Sequence, residues 1–69
     1  MPLIEVHLAR GRTEQQKRAL MEAITEAVQR SIDAPLPSIR VWLHEFAPEE
    51  FMAAGEVLAD RYADGGDAG

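Results

Sequence analysis

The 69-residue chain contains no cysteine. That absence excludes a disulfide framework, a thiol nucleophile and a thiolate zinc site. Aromatic residues make up only 6%, and lysine occurs once, at Lys17, so six of the seven basic side chains are arginine. Twelve acidic residues bring the formal charge to −5. No basic face is left to follow a phosphate backbone, so nucleic acid is not an expected partner. No apolar run approaches the ~18 residues of a membrane span, and Met1-Pro2-Leu3 lacks the basic start and apolar stretch of a secretory signal. A cytoplasmic protein with no membrane partner is expected. A glycine-rich phosphate loop and a Gly-x-Ser-x-Gly elbow are also missing. What remains is ordinary globular composition, 46% hydrophobic and 28% charged. A domain of this size hides only about 60% of the surface its unfolded chain exposes. With no covalent staple, part of its stability is expected to come from other copies of the chain.

Residues 2–9 alternate, with Ile4, Val6 and Leu8 on one face and Leu3, Glu5, His7 and Ala9 on the other, the pattern of a half-buried strand. Arg10-Gly11-Arg12 turns the chain. Thr13-Glu14-Gln15-Gln16 then has the form of a capping box, which predicts a helix start. Leu20, Ala23, Ile24, Ala27, Val28 and Ile32 recur at three- and four-residue steps as an apolar stripe, with Glu14/Arg18 and Glu26/Arg30 as i,i+4 pairs. Asp33-Ala34-Pro35-Leu36-Pro37 stops the helix, because proline lacks a donor and biases its predecessor away from helix. Residues 38–46 alternate again, with Ile39, Val41 and Leu43 opposite Arg40, Trp42, His44 and Phe46. Strand, helix and strand of these lengths predict an α/β (α+β) fold, a single βαβ unit with parallel strands. Residues 47–58 fit either a helical turn or a small hairpin around Gly55. The last ten residues have nothing to bury and are expected to fray, and one domain over residues 1–62 with a flexible tail over 63–69 is predicted. A two-stranded sheet is marginal alone, and its second face carries Leu3, Trp42 and Phe46, so a self-associating chain is predicted.

Pro2 directly follows the initiator methionine, a context in which aminopeptidases remove the methionine. The exposed secondary amine would titrate near the α-amino range, within reach of neutrality, and could serve as a general base. Equally, proline suits the start of an edge strand, where its missing donor costs nothing. Arg10, Arg12 and Arg40 offer planar forks that grip carboxylates through paired hydrogen bonds. The bland alternative is solvation, or pairing with Glu5 or Glu45. Arg40 is the more informative, because it sits within a strand. His7 and His44 could meet across the strands, yet without a clear third ligand no metal site is predicted. Phe51 could be core or could wall a pocket.

Taken together, Pro2 after Met1, Gly11-Arg12-Thr13 with the following Glu-Gln-Gln-Lys, Ser31-Ile32-Asp33-Ala34-Pro35-Leu36, Ser38-Ile39-Arg40-Val41, Glu45, and Phe51 followed by Gly55-Glu56 resemble the 4-oxalocrotonate tautomerase (2-hydroxymuconate tautomerase) family. The match runs without gaps from Pro2 to about Arg61. The resemblance implies the β-α-β tautomerase fold with a short C-terminal hairpin, assembled as a homohexamer, a trimer of dimers. It implies an isomerase without cofactor or metal, acting on a small dienol or 2-oxo (di)carboxylate such as 2-hydroxymuconate in aromatic-compound catabolism or a biosynthetic pathway with the same chemistry. By resemblance Pro2 is the general base and then the acid. Arg12 binds the distal carboxylate, Arg40 of a neighbouring subunit holds the first carboxylate and the 2-oxygen, and Phe51 keeps the amine in a low-dielectric setting.

The chain also departs from that family. Met52 and Ala54 stand where relatives often carry glycines, which bears on the hairpin, and Ala9, Trp42 and His44 differ from the usual residues. The glutamate that activates water in related haloacrylate dehalogenases aligns with Ala53, which argues against dehalogenation. Two other functions stay open from sequence: a non-catalytic oligomerising βαβ domain, and a tautomerase of phenylenolpyruvate-like monoacids.

Overall fold

A computed structural model describes residues 1–63. Two strands, β1 (Leu3–Ala9) and β2 (Arg40–Phe46), run parallel in a two-stranded sheet, with a long helix, α1 (Glu14–Ile32), between them in sequence. The register sets Leu3 opposite Arg40, Val6 opposite Leu43 and Ala9 opposite Phe46. The predicted βαβ unit is thus present, and each strand starts slightly later than its alternation suggests. Before β2, Leu36–Ser38 form one turn of 3-10 helix instead of strand.

Local chemistry explains the ends of α1. The Thr13 hydroxyl accepts the Gln16 N–H at 3.1 Å, and the Gln16 side-chain oxygen accepts the Thr13 N–H at 2.9 Å, so two orphan donors are satisfied reciprocally. A Thr13→Ala variant is therefore expected to lose about 1 kcal/mol of folding stability, read as an earlier thermal transition by circular dichroism. Gly11, at φ +134°, makes the preceding turn in a conformation that side chains disfavour. At the other end Asp33 adopts a left-handed conformation, φ 55°, ahead of Pro35.

Helix α1 covers the aliphatic sheet face through two adjacent i,i+4 rows, Leu20-Ile24-Val28 and Lys17-Met21-Thr25, all half-buried. The expected stripe is correct in Leu20, Ile24 and Val28. Ala23, Ala27 and Ile32 are instead exposed, Ile32 by 64%. The true stripe is rotated by one row, because Lys17 is drawn inward. Its Nζ lies 3.1 Å from Oε1 of Glu45, the one carboxylate that strand alternation places on the aliphatic face. The predicted Glu14–Arg18 pair is present at 3.6 Å, whereas Glu26–Arg30 is not among the ion pairs of the described residues.

After a 3-10 turn at Pro48–Glu50, the chain makes the hairpin, with β3 (Met52–Ala53) antiparallel to β4 (Glu56–Val57). Ala54 and Gly55 both have positive φ, 54° and 81°, the turn class that matches strand twist. The alanine that replaces a family glycine therefore adopts the turn and does not abolish it. A last helix, α2 (Leu58–Ala63), follows, so the expectation that the chain frays from residue 60 is corrected for Asp60–Ala63. Leu58 and Tyr62, one helical turn apart, line the same hollow and give this segment something to bury. The rest of the predicted tail, residues 64–69, lies outside the described residues.

Leu58, 7% exposed, is the only buried residue among those described, and none of them is fully buried. The sheet face opposite α1 carries Leu3, Glu5, His7, Trp42, His44 and Phe46, and Trp42 is 56% exposed. Exposed apolar area of this kind marks an interaction face. Among the described residues, no helix is long and apolar enough to cross a membrane.

Candidate active site

The four residues singled out from sequence fall at two ends of the sheet. Pro2 precedes β1, and its carbonyl accepts the Arg40 N–H at 3.0 Å, so Pro2 and Arg40 share one end. Arg12 and Phe51 share the other. The strand between them has seven residues, which at about 3.3 Å each separates the ends by roughly 20 Å. No single chain gathers all four.

At the first end, Pro2 is half-buried behind Met1, which is 81% exposed. Strand alternation sends the Arg40 side chain to the open sheet face with Leu3. The guanidinium turns to the Ser38 carbonyl, with Nη1 donating at 3.3 Å. Among the described residues no carboxylate forms an ion pair with Arg12 or Arg40. Of the partners the bland alternative offered the arginines, Glu45 pairs with Lys17, and Glu5 lies nearest His44, 3.6 Å away. In an acidic chain, guanidinium groups without a carboxylate partner are points where an anionic ligand can be held.

At the second end, a hollow of about 260 Å³ is lined by Ala9, Arg12, Phe46, Phe51, Leu58 and Tyr62 among others. The β-ladder extends past β1, where the Arg10 N–H donates to the Phe46 carbonyl at 2.8 Å, and this holds the Arg10-Gly11-Arg12 turn against the end of β2. Phe51 stacks on Phe46 with centroids 5.1 Å apart and planes at 18°. The Phe51 carbonyl accepts the Leu58 N–H at 2.9 Å, tying hairpin to α2. Phe51 is thus a half-open wall, neither core nor free surface. Tyr62 joins Arg12 in this hollow, a placement that sequence reasoning missed because it left residue 62 at the frayed end. The i,i+4 spacing from Leu58 was the available signal.

On the open face the His7 and His44 rings do meet, stacked at 4.6 Å. Glu5, not recognised from sequence, stands beside them, with Oε1 3.6 Å from His44 Nε2.

The family described as "Tautomerase enzyme" matches residues 2–61. The chain belongs to this tautomerase family. It is 42% identical over 59 residues to a 2-hydroxymuconate tautomerase of Pseudomonas putida, covering 86% of this chain and 94% of that one. Among solved structures, TomN, a 4-oxalocrotonate tautomerase homologue in the tomaymycin biosynthetic pathway, superposes with a TM-score of 0.86 at 39% identity, covering 90% of this chain and 95% of that one. A heterohexamer 4-oxalocrotonate tautomerase from Chloroflexus aurantiacus J-10-fl superposes with a TM-score of 0.83 at 28% identity, over 87% and 97% of the two chains. The tautomerase fold, β-α-β with a C-terminal hairpin, and the isomerase class expected from sequence are thereby established. The reading as a non-catalytic scaffold falls away.

Proposed function

We propose that this tautomerase converts 2-hydroxymuconate, or a closely similar dienol dicarboxylate, to the conjugated 2-oxo acid, with Pro2 as the proton carrier. The observation that carries the reading is the division of labour between the two ends of the sheet. One end holds Pro2 and Arg40, an arginine with no acidic partner; the other holds a second such arginine, Arg12, in an aromatic hollow. Two cations that far apart in one chain suit a substrate with a carboxylate at each end once copies of the chain are packed end to end. The exposed aromatic face and the near absence of a closed core support such packing, and we assign it as a homohexamer, a trimer of dimers.

Removal of the exposed Met1 turns the Pro2 nitrogen from a tertiary amide into a secondary amine with a basic lone pair. That nitrogen takes the proton of the 2-hydroxyl. The electron pair left on oxygen forms the C2 carbonyl as the double bonds shift, and the same nitrogen returns the proton to a distant carbon of the conjugated chain. Nothing is gained or lost overall. Arg40 of a neighbouring subunit faces the 2-oxygen and the first carboxylate, where negative charge develops, and Arg12 grips the distal carboxylate. Phe46 and Phe51 exclude water around the reacting carbons.

Ketonisation of 2-hydroxymuconate followed in the ultraviolet tests the reading. Arg12→Ala is expected to raise KM by about 10- to 100-fold, the worth of one charge-assisted bidentate contact, while kcat changes little. An unchanged KM for the diacid, together with turnover of phenylenolpyruvate, would move the assignment to monoacid substrates.

A further inference from the structure

On the sheet face opposite α1, three side chains able to ligate a metal converge: Glu5, His7 and His44. Strand geometry brings them together. Glu5 and His7 are two residues apart on β1 and so share a face, and the parallel register sets His44 directly opposite His7. One ligand atom from each lies within 4.8 Å of the other two. The Trp42 indole rests on His44 as well, with centroids 4.3 Å apart.

The informative atom is Nε2 of His44. Less than 1 Å² of it reaches solvent, and it has no hydrogen-bond partner. Its nearest anionic neighbour, Oε1 of Glu5, is 3.6 Å away, too far for a hydrogen bond. Folded chains ordinarily satisfy a polar nitrogen that is shut away from water. An ion shared between the two atoms would do so. Two coordination bonds of about 2.0–2.1 Å at a tetrahedral angle hold their donor atoms about 3.3 Å apart, near the observed separation and well beyond hydrogen-bond length.

We propose that Glu5, His7 and His44 form a binding site for a first-row divalent transition ion of the zinc type, independent of the proton-transfer reading. Two imidazoles and one carboxylate make a donor set that suits zinc and disfavours calcium and magnesium, which take oxygen ligands. Three protein ligands leave a fourth position open. The near-parallel imidazoles must rotate about χ2 to bring both lone pairs to one point, and that torsion is broad and soft. Bound there, the ion would link β1 to β2 through side chains, adding to a sheet that has only two strands.

Chelator-treated protein titrated with zinc in a calorimeter is expected to take up one ion per chain with micromolar or tighter affinity. Copper(II) is expected to quench the fluorescence of Trp42, the sole tryptophan, through its contact with His44. His44→Gln and Glu5→Gln are each expected to weaken zinc binding at least about tenfold, and His44→Gln to remove most of the quenching. Far-UV circular dichroism checks that the variants fold, and the exposed Glu5→Gln carries the test if His44→Gln does not. Binding only at millimolar zinc, or equal affinity in wild type and both variants, overturns the site and leaves a plain Glu5–His44 contact.

Discussion

Pro2→Ala is expected to lower kcat/KM for 2-hydroxymuconate by about 10²- to 10⁴-fold, the range that a positioned proton-transfer group contributes. The variant should keep its helix content and assembly, because position 2 precedes β1 and contributes only a carbonyl to the ladder, which alanine also supplies. Alanine is small enough for Met1 still to be removed, so intact mass separates lost chemistry from failed processing. The pH profile adds an independent sign. A base works only when unprotonated, so the wild-type rate must fall as pH drops through the amine's pKa. An acidic limb in the kcat/KM profile of the wild type, absent from the residual activity of Pro2→Ala, is the expected result. Equal rates for wild type and variant, both folded and free of Met1, would remove Pro2 from the chemistry.

Much of the fold was legible because short-range chemistry decides it. Alternation in residues 3–9 and 40–46, the Thr13/Gln16 box and the stop at Asp33-Ala34-Pro35 each depend on neighbours within four residues, and each holds. What was misread depends on partners far along the chain. The stripe of α1 is rotated because Lys17 answers Glu45, 28 residues away. Residues 60–63 are helical because Leu58 and Tyr62 find a hollow built by the ends of β1 and β2, Arg12 and Phe51. Glu5 escaped notice as a ligand because it looked like the polar half of an alternation, and only the register with His44 gives it company. The site shows the same division. Sequence picks out Pro2, Arg12, Arg40 and Phe51 by type and motif, but says nothing of their separation into two ends, which makes assembly a requirement of the proposed chemistry.

Arg40→Ala supplies the sharpest test of that requirement. Removing one preorganised cation from the developing oxyanion is expected to cost about 10²- to 10³-fold in kcat, with a rise in KM as well because Arg40 also holds the first carboxylate. Strand alternation sends Arg40 to the open face, where its guanidinium is held by the Ser38 carbonyl, and the proposed sharing of sites between subunits predicts more than a loss. If each site combines Pro2 of one subunit with Arg40 of another, neither Pro2→Ala nor Arg40→Ala assemblies hold a complete site. Hybrids formed by unfolding and refolding the two together would regain some, pairing the intact proline of one variant with the intact arginine of the other. Recovered activity in the mixture, absent when the variants are combined without unfolding, is the expected result. A refolded mixture no more active than its components would mean that Arg40 serves the proline of its own chain. Its side chain would then have to leave the Ser38 carbonyl that now holds it.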